Sequence, residues 1–392
     1  MTNLKRHGLA LLVGGLAAVA SVTPAHADIE LNGFGSFFYN QSTNPDFLGS
    51  YSRNQYADFA SLTRFGLNVG SKISDHLTVA SQFVVDGGAY SSPGSQPAWG
   101  LRANWAYLSW NAAPGLNVKL GRQLFPNWLA AEFTDVGYLQ PYIRGPQGVF
   151  TMSPFKNFEG LLIDYTADLG FAKLTPAIFG GVASRDFTSY SSDFQTDISN
   201  LAGGAVTLNG DGFRVRGMIS GAMVRVNSIS RNVSPPAPGY PDVASNIVAI
   251  NGQVINTLTA TVGASYDKNN IVVWTEYGKL SGNGGQINMV GPVNLGQLLK
   301  DIKGGYALGG YRFGKFMPYV MYSQSDWTQA GFGLGKEKDT TIGLNYAATP
   351  GAIVKLAYLT ESTDDGLGAF VSRSKGDATA AHTVMAGVDF IF

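Results

Sequence analysis

The feature that most constrains this chain is an alternation of side-chain character with a period of two residues. Between Arg64 and Ile73, the odd positions are mainly large and apolar, whereas the even positions are glycine or polar. The segments 258–266 and 341–346 repeat the pattern. Period two is the repeat of a β-strand that has one apolar face. The sequence therefore predicts many strands, each with an apolar side and a side of glycine and small polar residues.

Two kinds of connection separate these strands. Short segments with turn chemistry lie at 74–76, 112–115, 167–170, 209–212, 267–270, 314–315 and 349–351. Longer Gly/Ser/Pro-rich connections lie at 40–60, 87–100, 123–158, 180–200, 227–253, 280–302, 325–338 and 361–380. Eight long connections that alternate with seven short turns predict about sixteen strands. Short turns at one end and long loops at the other are typical of transmembrane barrels.

The composition favours a membrane barrel over a soluble β-protein. Only 14% of the 392 residues are charged, against about 25% in soluble domains. Beyond residue 27, no segment approaches the roughly 18 consecutive apolar residues of a membrane helix. In lipid, only helices and closed barrels satisfy every backbone amide. We therefore expect an all-β, transmembrane antiparallel barrel. The strands of a soluble sandwich or propeller also alternate in polarity, but such a fold would need a packed core. A propeller would in addition need a blade-length repeat, which the sequence lacks.

The N-terminal segment predicts export. Lys5 and Arg6 precede the small and apolar stretch 9–22, and Ala25-His26-Ala27 resembles a signal-peptidase site. We expect residues 1–27 to be a cleaved signal peptide and residues 28–392 to form the barrel. Cleavage would leave 25 basic and 27 acidic residues, a charge balance that suggests no nucleic-acid partner. Cysteine is absent, which excludes disulfides and thiolate metal sites.

Several segments in order along the chain resemble the Gram-negative porin superfamily. They are Leu31–Gly35, the hairpin from Arg102 to Arg122, Glu159-Gly160 with Asp164-Tyr165, Pro318–Ser323, and the terminal Phe392. The resemblance implies a sixteen-stranded homotrimer in the outer membrane of a Gram-negative bacterium, in contact with the lipid bilayer and lipopolysaccharide. It also implies that the loop after strand five folds into each barrel. Phe392 would belong to the signal that the barrel-assembly machinery reads.

Residues 123–158 form the longest connection and occupy the position of that inward loop. The loop carries Glu132 and Asp135. Basic residues that we assign to the lumen on nearby strands are Arg64, Lys72, Arg102 and Lys119, with Arg214 and Arg216 further along the chain. Opposed acidic and basic groups at the narrowest point would set which solutes pass. We expect Glu132, Asp135, Arg64, Arg102, Lys119, Arg214 and Arg216 to form this constriction, although lumen arginines also brace acids on adjacent strands.

Arg122 departs from the pattern. It shares parity with Val118 and Leu120, so strict alternation sends it toward lipid, where it would cost about 2–4 kcal/mol at mid-depth. We therefore predict a bend or bulge at Gly121 that returns Arg122 to the constriction.

Residues for catalysis are scarce. Beyond residue 27 only His76 and His382 are histidines, and they belong near opposite ends of the barrel. We therefore expect no enzyme activity, no cofactor and no metal centre. Asp364-Asp365 could bind a divalent cation weakly, but a solvated acidic loop is the better interpretation.

The sequence thus predicts a water-filled channel for passive diffusion of small hydrophilic solutes and ions. Two alternatives stay open. One is a channel selective for anions or sugars, and the other is a plugged structural or adhesin barrel.

Overall fold

The computed structural model describes residues 29–43, 58–87, 99–150, 152–153, 155–189, 192–230, 253–284, 301–327, 335–364 and 380–392. The predicted signal peptide, residues 1–27, lies outside the described residues and stays a prediction.

The described residues form sixteen antiparallel strands. They are β1 (Ile29–Ser42), β2 (Arg64–Lys72), β3 (Leu77–Asp86), β4 (Gly100–Ala113), β5 (Leu116–Leu124), β6 (Asn157–Tyr165, continued by Ala167–Asp168), β7 (Ala172–Ser189), β8 (Ser192–Gly210), β9 (Phe213–Ser230), β10 (Gln253–Lys268), β11 (Ile271–Gly284), β12 (Ile302–Tyr311), β13 (Phe316–Asp326), β14 (Lys336–Thr349), β15 (Ala352–Thr363) and β16 (Ala380–Ile391).

The sheet closes on itself. Each strand pairs with its neighbours in sequence, and β1 pairs with both β2 and β16. At this seam the Gly33 N–H donates to the Phe392 carbonyl oxygen at 2.8 Å. Closure removes the free edges that an open sheet exposes. The predicted all-β barrel of about sixteen strands is confirmed.

The short turns fall where the sequence predicts them, between β2 and β3 and at each second connection thereafter. The predicted long connection at 180–200 is wrong, because β7 and β8 pair through to Ser189 and Ser192. The serine and aspartate residues of this segment are typical of a loop. A hairpin that extends into water can carry polar residues on both faces, so polarity does not distinguish strand from loop there.

The two faces of the barrel differ as the alternation predicts. Large apolar side chains are exposed on the outer face, for example Leu120, Ile219 and Ile342. Aromatic pairs gather beside the short turns, where Tyr311 and Phe313 lie 4.7 Å apart between ring centroids. Such exposure suits lipid, and the aromatic rings suit the interface between lipid and water.

One connection folds into the barrel, as the predicted inward loop requires; its described residues, 125–150, 152–153 and 155–156, are called the inner loop. It contains two 3-10 turns and the short helix α1 (Gln147–Phe150). Its apolar residues, including Trp128 and Val149, pack in one buried cluster with Trp274, Tyr306 and Tyr319 on the inner face of β11–β13. The main core of the protein therefore lies inside the barrel, between the inner loop and one side of the wall. None of the described helices is long and apolar enough to cross a membrane.

Candidate functional site

The middle of the inner loop is fixed by a buried lysine. Lys355 lies on the inner face of β15 and is 0% exposed. Its Nζ donates to the carbonyl oxygens of Gly137 at 2.9 Å and Gln140 at 2.8 Å, and it lies 2.7 Å from the Asp389 carboxylate on β16. Because the loop carbonyls and the carboxylate satisfy the ammonium together, the loop backbone cannot leave the wall without stranding a buried charge.

Asp135 is the centre of a first charged cluster between the inner loop and the barrel wall. Its side chain is 1% exposed and lies 3.2 Å from the Arg64 guanidinium, 3.2 Å from the Lys156 ammonium and 3.7 Å from the Arg102 guanidinium. Asn104 also donates to it at 2.9 Å. Burial opposes ionisation, but the charges of Lys156, Arg64 and Arg102 outweigh it and hold the pKa of Asp135 well below its usual range.

Glu132 is the centre of a second cluster on the opposite wall. It forms ion pairs with Arg214, at 2.7 Å, and with Arg216 of β9. Arg216 also donates to the Trp128 carbonyl oxygen at 2.8 Å. Partial desolvation tends to raise the pKa of Glu132, but the charges of Arg216 and Arg214 outweigh it, so this pKa lies below the ordinary value. The Glu132 side chain is 51% exposed, unlike that of Asp135.

Exposure of the charged groups shows which sign meets solvent. Arg64, Arg102 and Lys156 keep 24%, 23% and 40% of their side chains exposed, whereas Asp135 is covered. Around the first cluster, accessible charge is therefore positive. Around the second cluster, Glu132 is the more exposed partner.

Two predicted constriction residues lie elsewhere. Lys119 faces the lumen but pairs with Asp164 on the neighbouring strand at 3.1 Å, so it braces the wall rather than contacting the inner loop. Arg122 lies on the outer face, and its predicted return to the lumen is wrong. It pairs with Glu159 at 2.6 Å, and its two neighbouring strands keep their register past Gly121.

The backbone at Gly121 is unusual, with φ +135°, yet it does not switch faces. The register shift lies on another strand pair. Between β3 and β4, Gln82 pairs with Trp105 and Phe83 with Ala103, so Asn104 is an extra residue. This bulge lets Arg102 face the lumen while Leu108 and Trp110, of the same parity, face outward.

Sequence reasoning missed four groups at this site. Lys156 closes the Asp135 cluster, Asp86 pairs with Arg102, Lys355 holds the loop, and Glu276 accepts from the Leu129 N–H at 2.8 Å. The sequence could have identified Lys355 as a lumen residue, because it alternates with the apolar residues Val354 and Leu356. The partners of these groups could not be predicted without the path of the inner loop through the barrel, and the alternation of residues does not specify that path.

Comparison with known proteins establishes the fold. No family model matches the chain, and no curated protein matches its sequence. The solved structures that are similar to it include the following three. The anion-selective porin from Comamonas acidovorans is 15% identical, with a TM-score of 0.54, and the match covers 93% of this chain and 100% of that one. The outer membrane channel DcaP of Acinetobacter baumannii is 13% identical, with a TM-score of 0.56 and coverage of 94% and 99%. OmpT of Vibrio cholerae, in a trimer form, is 12% identical, with a TM-score of 0.54 and coverage of 93% and 99%. The chain thus has the fold of Gram-negative outer-membrane porins.

Proposed function

We propose that the protein is an outer-membrane porin that lets small hydrophilic solutes and ions diffuse through a water-filled lumen. The observation that supports this proposal is that the inner loop and the barrel wall hold partly exposed charged groups of both signs inside the barrel. A barrel that served only as a scaffold would have no need of accessible charge at its narrowest part. Charged rings at a constriction select among passing ions.

We further propose a modest preference for anions. Five basic groups, Arg64, Arg102, Lys156, Arg214 and Arg216, meet the two loop acids. Asp86 offsets one of the five through its pair with Arg102, which still leaves an excess of positive charge. An excess of fixed positive charge raises the local concentration of anions. The preference should therefore weaken at high ionic strength.

The test is single-channel recording of the refolded barrel in a planar bilayer with asymmetric KCl. We expect stable conductance steps and a reversal potential that reports more permeant chloride than potassium. A reversal potential of the opposite sign would leave the porin proposal standing and overturn the anion preference. Absence of steps from a barrel shown to be folded and inserted would favour a plugged structural or adhesin barrel.

We propose no catalytic role for the barrel. Among the described residues, His382 contacts Thr360 at 3.2 Å and stacks on Tyr358, while His76 lies in the turn at the other end of the barrel. Neither arrangement presents a base beside a nucleophile in the lumen.

A homotrimer is also part of the proposal. The Arg122–Glu159 pair leaves 38% and 58% of its side chains exposed on the outer face. A charged pair facing lipid is costly, so a neighbouring copy is a better environment for it. Phe392, with its ring over Gly33 on the outer face of the seam, remains our proposed part of the assembly signal.

A further inference from the structure

A cluster of oxygen ligands lies on the inner face of β13–β15, away from the two charged clusters of the constriction. Glu337, Asp339 and Glu361 each offer a carboxylate oxygen, and the three oxygens lie within 4.8 Å of one another. All three side chains are buried. Because Asp339 lies directly across from Glu361, and Glu337 lies two residues from Asp339 on the same face of β14, the register itself brings these acids together.

Buried hydroxyl groups flank the acids. In the strand register, Ser325 of β13 lies across from Glu337 on one side and Thr363 of β15 lies across from it on the other. All three residues therefore share the inner face. Ser325 is 1% exposed, and Thr363 is 5% exposed. Within the described part of the chain, Ser325 Oγ and Thr363 Oγ1 have no hydrogen-bond partner, and the same holds for Asp339 Oδ1 and Glu361 Oε2. Buried polar atoms without partners carry a free-energy cost that a bound ligand would relieve.

The inner loop supplies one positive charge to this cluster. Arg144 Nη1 lies 2.5 Å from Glu361 Oε1, and both side chains are buried. This contact occupies one carboxylate oxygen of Glu361 and leaves the other, Oε2, without a hydrogen-bond partner among the described residues.

From this geometry we propose that Ser325, Glu337, Asp339, Glu361 and Thr363 form a binding site for one divalent cation, with Ca²⁺ the best fit. Every offered ligand atom is oxygen, which is the preference of hard cations. Ca²⁺ binds oxygen at about 2.3–2.6 Å, so two ligands on opposite sides of it lie up to about 5 Å apart. Mg²⁺ dehydrates reluctantly and usually keeps several waters, so a buried set of protein oxygens suits Ca²⁺ better.

The site would fasten the far part of the inner loop. Asp339 accepts from the Gln147 N–H, and Ser323, the residue across from Asp339, accepts from the Gly148 N–H at 2.7 Å. A bound cation would hold Asp339 and Glu361 in the positions that these loop contacts need. The binding claim does not depend on conduction through the lumen, so it can fail while the porin proposal stands, and the reverse.

The test is equilibrium dialysis of the full chain with radioactive Ca²⁺ at neutral pH. The protein is refolded in detergent without lipopolysaccharide, which itself binds divalent cations. We expect one Ca²⁺ per folded chain, bound more tightly than Mg²⁺. Asp339→Asn should weaken binding at least about tenfold. Asp164→Asn, which removes a lumen acid elsewhere, should leave binding unchanged.

Ser325→Ala provides a second variant that alters no charge and removes one hydroxyl ligand. We expect it to fold and to bind Ca²⁺ more weakly. No Ca²⁺ uptake by the folded wild-type chain would overturn the proposal whatever the variants do. Equal uptake by the wild type, Asp339→Asn and Ser325→Ala would overturn it too, since the cation would then bind elsewhere.

Discussion

At the scale of single residues, the two acids of the inner loop, Glu132 and Asp135, differ in what surrounds them. Asp135 is enclosed by three cations and an amide, whereas half of the Glu132 side chain meets solvent. An enclosed acid sets the positions of its partners, while an accessible acid acts on passing ions directly. The two carboxylates therefore have separate roles despite their closeness in sequence.

We predict that Glu132→Gln shifts the ion preference further toward anions. The change removes the accessible negative charge and leaves Arg214 and Arg216 unbalanced at the lumen surface. The measurement is the reversal potential in asymmetric KCl. Asp211→Asn, which removes an acid at a short turn, is the matched control and should have a much smaller effect. An unchanged reversal potential would place Glu132 outside the conduction path.

The pKa of Glu132 gives a second prediction. Because Arg216 and Arg214 hold this pKa below its ordinary value of 4.5, the carboxylate stays ionised through mildly acidic pH. The difference in reversal potential between the wild type and Glu132→Gln should therefore be constant from about pH 8 to about pH 5. It should disappear only as the pH falls through the lowered pKa. A difference that is already lost between pH 7 and pH 5 would contradict this assignment.

We predict that Lys355→Met destabilises the barrel by about 3–5 kcal/mol, the usual cost of leaving one member of a buried ion pair without its partner. Asp389, which is 1% exposed, would lose its cation, and the loop carbonyls would lose their donor. The measurement is the free energy of unfolding in denaturant. Lys268→Met removes one member of an exposed ion pair and should cost under about 1 kcal/mol. Equal costs for the two variants would refute the special role of Lys355.

At the scale of elements, helix α1 can lie directly against the barrel wall because glycines at the contact have no side chains. A Cβ at Gly148 would lie 2.5 Å from the Gln324 carbonyl oxygen and 2.6 Å from that of Gly305. On the facing strand, a Cβ at Gly304 would collide with the Gly148 carbonyl oxygen. Backbone therefore packs on backbone where the inner loop meets β12 and β13, and glycine is required on both sides.

We predict that Gly148→Ala pushes helix α1 off the wall while the barrel stays closed. Amides in 143–150 should exchange with solvent faster, and open-channel current noise should rise, because the loop gains freedom inside the lumen. Hydrogen exchange read by mass spectrometry measures the first effect. Gly309→Ala is the control, since a Cβ there meets nothing within 4 Å. Unchanged exchange in Gly148→Ala would mean that the wall adapts instead.

The elements also show how far sequence reasoning reaches. Period-two alternation gives the strands and their faces, because lipid on one side and water or the loop on the other impose opposite polarity at each step. It fails at Asn104, where one inserted residue reverses the parity of β4. At Arg122 alternation gives the correct outer face, and the predicted bulge is wrong because an ion pair makes an outward charge tolerable. The clusters around Asp135 and Glu132 join residues far apart in sequence. Alternation therefore predicts that several of these residues face the lumen, but it does not predict which of them form ion pairs.

At the scale of the whole molecule, the inner loop divides the lumen into two unlike halves. Along β11–β16 and β1, inward side chains are mostly buried against the loop or against one another. Along β2–β5, basic groups such as Arg64, Arg102 and Lys119 keep part of their surface in solvent. The water-accessible part of the proposed channel therefore lies off the barrel axis, between β2–β5 and the exposed Glu132 side chain beside β9.

We predict that a charge reversal on the outer face disrupts the proposed trimer. Glu159→Lys would place two cations side by side with Arg122, and the trimer fraction in native electrophoresis should fall. The exchanged pair Arg122→Glu with Glu159→Lys should restore much of it. Lys268→Glu, at an exposed turn pair with Asp211, serves as the control. Trimers that are unaffected by Glu159→Lys would place the interface elsewhere on the barrel.

The seam between β1 and β16 has a consequence for how the chain folds. Ser36 and Asp389 hydrogen-bond across 353 positions of sequence, whereas every other strand pair joins neighbours along the chain. Closing so long a loop costs about 5 kcal/mol in chain entropy, and contacts of this range form slowly. Hairpins should thus assemble first and the ring last. Because Gly137 of the inner loop lies against both Ser36 and Asp389, the loop reaches its final seat only after the ring has closed. The last event of folding is then also the event that sets the width of the lumen.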